Sequence, residues 1–115
     1  MTLIIYHNPR CSKSRELLAL LDEKSIDYNV FKYMENSLTA DKIYSLLKKL
    51  DYQSARELIR KNEPAFKNLN LKQESNEKIL VEAMIKNPKL IERPIAIKND
   101  RAIVCRPAQN VFFIL

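Results

Sequence analysis

The chain of 115 residues contains no glycine, and this absence limits the loops that it can form. Glycine lets the backbone approach a phosphate group closely and adopt positive φ angles without steric cost. The sequence therefore excludes dinucleotide-binding loops and P-loops. Where a turn requires a positive φ, we expect asparagine, the next most tolerant residue. Asparagine is abundant, at Asn8, Asn36, Asn62, Asn68, Asn70, Asn87 and Asn99 among other positions.

Length and composition fit one globular domain over residues 1–115. The chain is 46% hydrophobic and 30% charged, which is enough to bury a modest core. No apolar run approaches the ~18 residues of a membrane-spanning helix, and the first residues run directly into polar sequence without a signal-peptide pattern. We therefore expect a cytoplasmic protein with no membrane partner. A monomer is the expected oligomeric state.

The charge balance favours an anionic partner only weakly. The chain has 20 Lys and Arg against 14 Asp and Glu, a formal net charge of +6. The basic residues are interspersed with acidic ones, so they form no block of positive charge. A nucleic-acid partner is compatible with this charge, but no motif in the sequence supports one.

Two cysteines and one histidine limit the metal and redox chemistry. Cys11 and Cys105 lie far apart in the sequence, and His7 is the only histidine. Zinc sites draw four ligands from paired Cys and His spacings, so no metal site is expected. Cytosolic thiols are kept reduced, which argues against a structural disulfide. Each cysteine therefore serves either packing or chemistry.

The apolar pattern predicts a strand, a helix and a second strand in the first third of the chain. Residues 2–6 are apolar, as in a strand covered on both faces. From Cys11 onward the spacing becomes helical, with an apolar stripe within 17–21. A second apolar run, 28–33, follows at the distance that a parallel strand needs after a helix.

The rest of the chain predicts helices followed by a hairpin. Three capped helices are predicted, over 39–49, 54–61 and 75–86. Residues 94–98 and 101–104 are predicted strands joined by a two-residue Asn-Asp turn. After Pro107, a short closing helix is predicted from Ala108 to the end of the chain.

This order of elements is that of the thioredoxin-like α/β fold. It predicts a mixed four-stranded sheet with a helical insertion after the second strand, over about residues 37–90. Arg93-Pro94 precedes the third strand, where such folds usually place a cis proline facing the reactive cysteine. Most X-Pro bonds are trans, so the sequence leaves this isomer open.

Cys11 is the candidate nucleophile because it stands where a strand gives way to a helix. Unpaired N–H groups and the positive end of the helix dipole favour a thiolate there. Arg10, Lys13 and Arg15 add positive charge, so we expect the pKa of Cys11 to lie below that of a free cysteine. The alternative is a buried cysteine that packs as a small hydrophobic residue.

The same segment fits a tetrahedral oxyanion. Backbone N–H groups and basic side chains bind such anions, and Ser12 and Ser14 can donate hydrogen bonds. Helix capping and a solvated basic surface would explain these residues equally well. His7 either orients the loop or packs beside the strand.

Spacing excludes two other kinds of cysteine site. A tyrosine-phosphatase loop carries an arginine six positions after its cysteine, where this chain has Leu17. A dithiol site needs a second cysteine three positions on, where Ser14 stands. Any disulfide or covalent adduct at Cys11 must therefore be resolved by an external thiol such as glutathione.

Four motifs together resemble the glutaredoxin-coupled arsenate reductases. They are residues 7–15 (His-Asn-Pro-x-Cys-x-x-Ser-Arg), 58–61 (Leu-Ile-Arg-Lys), 93–95 (Arg-Pro-Ile) and 105–107 (Cys-Arg-Pro). Their order and spacing agree with that family over essentially the whole chain. Arg10, Ser12 and Lys13 differ from the Ala, Gly and Thr that are more usual there, and resemble an arsenate-reductase-like subgroup.

The resemblance implies a thioredoxin-like enzyme of arsenic detoxification. Cys11 would attack arsenate, and glutathione and glutaredoxin would reduce the adduct to arsenite, with glutathione as co-substrate and no bound cofactor. In that family three arginines converge on the oxyanion, and the matching catalytic positions are Arg60, Arg93 and Arg106. The residues expected to bind substrate are His7, Asn8, Ser12, Lys13, Ser14 and Arg15. Cys105 is interpreted as a core residue rather than a resolving thiol.

Two other functions stay open on the sequence. A glutathione-linked oxidoreductase acting on mixed disulfides would use the same Cys11, with arsenate only as a mimic. A non-catalytic adaptor like the Spx regulators, which bind RNA polymerase, would share the fold. Those regulators usually carry a Cys-x-x-Cys pair, and Ser14 replaces the second cysteine here.

Overall fold

A computed structural model describes residues 2–35 and 38–115 of the chain. The chain divides into two compact units. The first, here called the sheet unit, comprises the described residues of Met1–Ser37 together with Arg93–Leu115. The second, here called the helical unit, is Leu38–Glu92.

Four strands form the sheet unit: β1 (Leu3–Tyr6), β2 (Asn29–Phe31), β3 (Ile95–Lys98) and β4 (Arg101–Val104). Their order in the sheet is β2-β1-β3-β4. β1 is parallel to β2 and antiparallel to β3, which is in turn antiparallel to β4. The α/β prediction of a mixed, thioredoxin-like four-stranded sheet is confirmed.

The core of the sheet unit lies between the sheet and two helices. Helix α1 (Ser12–Glu23) and a 3-10 helix (Ala108–Phe113) contribute buried apolar side chains to it. Burying a side chain such as Leu17 stabilises a fold by roughly 1.5–3 kcal/mol. The core side chains are Leu3, Ile5, Leu17, Leu21, Ala96, Cys105, Ala108, Val111 and Ile114. Because this core anchors both β1 and α1, it holds the loop between them in place.

Four residues of the described chain adopt positive φ angles. Asn70 (54°) and Asn99 (56°) are the asparagines that take this role, and Asn99 opens the tight turn between β3 and β4. Ser25 (56°) and Asp51 (61°) also adopt it, just after helices. The residue that follows a helix often adopts the left-handed conformation, which glycine usually provides. In this chain without glycine, Ser25 and Asp51 adopt it instead. Asn36 lies outside the described residues.

The helical unit contains α2 (Ala40–Leu50), α3 (Pro64–Asn68) and α4 (Glu77–Lys86). The Thr39 hydroxyl caps α2 by accepting from the backbone N–H of Lys42 at 3.2 Å. α4 is capped by Asn76 rather than by Ser75, because the Asn76 side chain accepts from two backbone N–H groups of the first turn. α2 and α4 pack against each other within this unit.

The predicted helix over 54–61 is wrong in its second half. A 3-10 helix spans only Ala55–Leu58, and Ser54 and Glu57 form its capping box. Beyond it the backbone is extended, and Ile59 pairs with Ile91 in an antiparallel bridge. This pairing with a distant segment satisfies the backbone groups that a longer helix would have used.

Other boundaries differ by a few residues. The second strand is limited to three residues, and the closing helix is a 3-10 helix that ends at Phe113. Among the described residues, no helix has both the length and the apolar character needed to span a bilayer. Within the same ranges, no group of three or more His, Cys, Asp or Glu side chains is arranged to hold a metal ion.

Candidate active site

The loop between β1 and α1 is closed by hydrogen bonds at both ends. At its start, the backbone N–H of His7 donates at 3.0 Å to the carbonyl of Phe31, the last residue of β2. At its end, the backbone N–H of Cys11 donates to the Asn8 carbonyl at 3.0 Å. Cys11 has an extended backbone and is the N-cap residue of α1. The strand-to-helix junction therefore presents the Cys11 thiol at the positive end of the helix.

Cys11 is partly buried and its pKa is lowered. Burial alone would raise the pKa of Cys11, because it disfavours the charged form. The backbone N–H of Ser14, the Arg93 side chain and the backbone N–H of Lys13 outweigh this effect by stabilising the thiolate. The arrangement selectively favours an anionic nucleophile.

Arg93 supplies the positive charge at Cys11. Its guanidinium acts on the thiolate both by hydrogen bonding and by charge. The sequence argument assigned this effect to Arg10, Lys13 and Arg15. The Lys13 ammonium instead pairs with Glu16 at 3.6 Å, and Arg15 donates to the Pro9 carbonyl at 2.9 Å. Charge at the thiolate thus comes from a residue remote in sequence.

Arg93 precedes β3 and Arg106 follows β4, and each is followed by a proline. Arg93-Pro94 is cis, and so is Arg106-Pro107, which no feature of the sequence suggested. The Pro94 carbonyl accepts from the backbone N–H of Cys105 at 2.8 Å. This bond ties the segment before β3 to the segment after β4. Arg93 is half-buried and Arg106 is exposed.

His7 is buried beside the loop and its Nδ1 atom has no hydrogen-bond partner in the described structure. Burial lowers the pKa of His7, and the charges of Lys32 and Arg15 lower it further. The imidazole is therefore neutral at physiological pH and adds no cation to the site. Of the two interpretations from sequence, packing beside the strand matches this burial.

The remaining residues expected to bind substrate fall into two environments. Asn8 and Ser14 are buried, and the backbone N–H of Asn8 donates to the Ser14 hydroxyl at 3.4 Å. Ser12, Lys13 and Arg15 are exposed on the first turn of α1. The exposed group is open to an anion, whereas the buried pair is engaged within the loop itself.

Arg60 lies in the helical unit, at the extended segment that follows the 3-10 helix. Its backbone N–H donates to the Leu90 carbonyl at 2.6 Å, beside the Ile59–Ile91 bridge. Its side chain is 19% exposed, and its Nε atom lies 3.6 Å from Oε1 of Glu63. This partly buried carboxylate is a functional candidate that the sequence did not single out. Glu63 follows Arg60 by three residues, but residues 60–63 do not form an α-helix. The i,i+3 spacing of a helix therefore could not predict this contact.

Cys105 is a core residue. Its side chain is 1% exposed among the apolar residues behind the sheet. Burial raises the pKa of Cys105 to about 12, against a smaller opposing effect of the Ala96 backbone. At neutral pH it is a protonated thiol and therefore a poor nucleophile.

The sequence profile of the ArsC family matches residues 6–112, which is nearly the whole chain and includes every site residue described above. The chain belongs to the ArsC family. The arsenate reductase of Haemophilus influenzae is 40% identical over the full length of both chains. The uncharacterized protein YfgD of Escherichia coli K12 is 48% identical over 96% of this chain and 94% of its own.

A solved structure has the same fold as this ArsC-family chain. The arsenate reductase from Vibrio cholerae superposes with a TM-score of 0.94 at 42% identity. The match covers 100% of this chain and 98% of that one. The resemblance seen in the four sequence motifs is therefore confirmed at the level of the family and of the fold.

Proposed function

We propose that this chain is an arsenate reductase with Cys11 as its nucleophile. The observation that carries the proposal is the Cys11 environment, in which two backbone N–H groups and Arg93 stabilise a thiolate. The ArsC-family profile and relatives named arsenate reductase support the choice of substrate. Arsenate and a thiolate are both anions, so a site that joins them needs concentrated positive charge.

The first chemical step forms a bond between Cys11 Sγ and arsenic. One arsenate hydroxyl takes up a proton from solvent and leaves as water, so an As–O bond is replaced by an As–S bond and arsenic remains in its +5 state. A helix N-terminus binds the remaining oxygens as it would bind a phosphate. Arg93 is then placed to stabilise the charge that moves from the sulfur to the oxyanion.

The second step needs an external thiol, for which we propose glutathione. Its thiolate attacks Cys11 Sγ, the As–S bond breaks, and the bonding electron pair remains on arsenic, which leaves as arsenite. Cys11 is then in a mixed disulfide with glutathione, and glutaredoxin reduces it. Ser14 stands where a resolving cysteine would be needed, and Cys105 is buried with a pKa raised to about 12. Glutathione is abundant in the cytoplasm, where we place the reaction.

The three arginines of the family motifs are proposed to bind the oxyanion. A guanidinium offers paired N–H donors that match the oxygens of a tetrahedral anion better than an ammonium does. Arg93 acts on the Cys11 thiolate, and Arg106 is exposed after β4. Arg60 is included on the family motif alone, and its Nε atom lies 3.6 Å from Oε1 of Glu63. Ser12, Lys13 and Arg15 extend the positive rim of the site.

The test is NADPH consumption in the presence of glutathione reductase, glutathione and glutaredoxin, with and without arsenate. We expect arsenate-dependent turnover in the wild type and none in Cys11→Ser. Cys105→Ala is the matched control, since it removes the other thiol without touching the loop, and should retain turnover.

Other results of the same assay would contradict the proposal. Turnover of a glutathionylated peptide that does not respond to arsenate would make the chain a mixed-disulfide oxidoreductase. A folded, thiolate-bearing protein with no turnover of either substrate, but with stable binding to RNA polymerase, would make it an adaptor.

A further inference from the structure

Asn8 makes three hydrogen bonds around the loop that carries Cys11. Its backbone N–H donates to the Ser14 hydroxyl at 3.4 Å, and its carbonyl accepts from the backbone N–H of Cys11 at 3.0 Å. Its side-chain Oδ1 accepts from the backbone N–H of Arg10 at 3.1 Å. The residue is 7% exposed. One asparagine thus contacts the turn, the nucleophile and the first turn of α1.

These bonds set the position of the thiol relative to the groups that stabilise it. The thiolate depends on the N–H groups of Lys13 and Ser14, and hydrogen bonds weaken steeply as distance and angle depart from their optimum. Asn8 holds the Cys11 end of the loop and the Ser14 end at once. Loss of its side chain would free the turn at Arg10 and so loosen this geometry.

The amino-acid types agree with this geometry. Asparagine is favoured at the first position of a turn, where its side chain accepts from the backbone N–H two residues on. Proline is favoured at the next position, and Pro9 stands there. On the outer side of the turn, the Arg15 guanidinium donates to the Pro9 carbonyl at 2.9 Å. The Asn8 and Arg15 side chains therefore both make hydrogen bonds to the backbone of the loop.

We propose that Asn8 is a positioning residue for the Cys11 thiolate and not a ligand of the substrate. This reassigns Asn8 from the substrate-binding set suggested by the family motif. The inference rests on the proposed function only in taking Cys11 as the nucleophile. Its main test is a thiolate titration without arsenate, so the titration can be interpreted even if the protein does not reduce arsenate.

The experiment titrates the Cys11 thiolate by its absorbance near 240 nm in the Cys105→Ala background. Asn8→Ala should raise the midpoint by about 0.5 or more on the pH scale, which corresponds to a roughly threefold drop in the thiolate-to-thiol ratio at fixed pH. Asn8→Ser keeps a short side-chain acceptor for the same turn, and should restore most of the difference.

Asn76→Ala is the matched control. Its side chain accepts from the backbone N–H groups of Lys78 and Ile79 at the start of α4, in the helical unit. The substitution removes an asparagine that stabilises a backbone turn, as Asn8→Ala does, but away from the thiol. It should lower the unfolding midpoint in urea and leave the thiolate titration unchanged.

Two results would overturn the proposal. One is an unchanged titration midpoint in Asn8→Ala together with a raised KM for arsenate, which would make Asn8 a substrate ligand. The other comes from amide hydrogen exchange in the wild-type protein, and it decides the question if Asn8→Ala does not fold. The Arg10 amide should exchange its hydrogen more slowly than in an unstructured peptide, because it donates to Asn8. Exchange at the unstructured rate would remove the basis of the inference.

Discussion

At the scale of residues, the two cysteines of the chain have opposite environments. Cys11 is the N-cap residue of α1, interacts with the Arg93 side chain and has a lowered pKa, whereas burial raises the pKa of Cys105 to about 12. Both thiols are free. A thiolate is the reactive form of cysteine, so this contrast supports Cys11 rather than Cys105 as the proposed nucleophile. Cys105 contributes to stability by packing.

Replacement of Arg93 should move the pH dependence of the thiol upward. Arg93 lowers the pKa of Cys11, so the wild-type thiol loses its proton at a lower pH than it would without Arg93. In Arg93→Gln the rise in thiolate absorbance and in alkylation should therefore shift to higher pH. Arg101→Gln, on the exposed start of β4, is the control and should titrate like the wild type. Coinciding curves for Arg93→Gln and the wild type would show that backbone N–H groups alone stabilise the thiolate.

At the scale of elements, backbone pairing with a segment distant in sequence determines the conformation of the segment that carries Arg60. Ser54 and Glu57 predict a helix start correctly, because a capping box is a local pattern. The helix nevertheless ends at Leu58, since Leu58 and Arg60 exchange backbone hydrogen bonds with Glu92 and Leu90. Neither partner lies near in sequence, so no window of residues around Arg60 contains this information.

Glu77 ties the same segment to α4, and its removal should destabilise the helical unit. Its carboxylate accepts from the Ser54 hydroxyl at 2.6 Å and from the backbone N–H of Ala55 at 2.7 Å. Hydrogen bonds to a charged group contribute about 1.5–3 kcal/mol, and the exposure of Glu77 reduces this. We expect Glu77→Ala to lower the free energy of unfolding, measured in urea, by about 1–2 kcal/mol. Glu82→Ala, an exposed position on the same helix, should change stability by less than about 0.5 kcal/mol, and equal losses would contradict the assignment.

At the scale of the whole molecule, the single histidine makes the folding free energy depend on pH. Burial, with the charges of Lys32 and Arg15, lowers the pKa of His7 below its unfolded value of about 6.5. Below that pH the unfolded chain binds a proton that the folded chain does not. Stability from this residue is thus full above about pH 6.5 and is lost as the pH falls towards the folded pKa.

The prediction is that His7→Gln weakens the acid sensitivity of the fold. Urea unfolding at pH 7.5 and at pH 5.5, in a Cys11→Ser background, excludes the titration of the thiol. The variant with His7 should lose more stability between the two pH values than the variant with Gln. Equal losses would mean that the folded state accommodates the imidazolium, and would remove the argument that His7 stays neutral at the site.

Most of the fold could be predicted from local patterns. The strand before Cys11, the helix after it, the Thr39 cap and the tight turn at Asn99 all appear where the sequence predicts them. Each depends on neighbouring residues, either through apolar periodicity or through the chemistry of a cap or turn. Helix caps and turns are short-range interactions, which is why a sequence window is enough for them.

The site could be predicted only in part. The lowered pKa of Cys11 was predictable because a strand-to-helix junction favours a thiolate through its own backbone. The source of the charge was not predictable from the neighbouring sequence, which pointed to Arg10, Lys13 and Arg15, whereas Arg93 entered only through the family resemblance. The guanidinium that acts on the thiolate belongs to Arg93, two residues before β3 and near the other end of the chain.

The sequence by itself determined the order of elements, the position of Cys11 before a helix and the family motifs. The tertiary structure decided the pairing of Arg93 with Cys11, the burial of His7 and Cys105, and the extended backbone around Arg60. The physical reason is that burial and charge at a point depend on every segment that the fold brings there. A pKa follows from that sum, whereas helix caps and turns follow from a few consecutive residues.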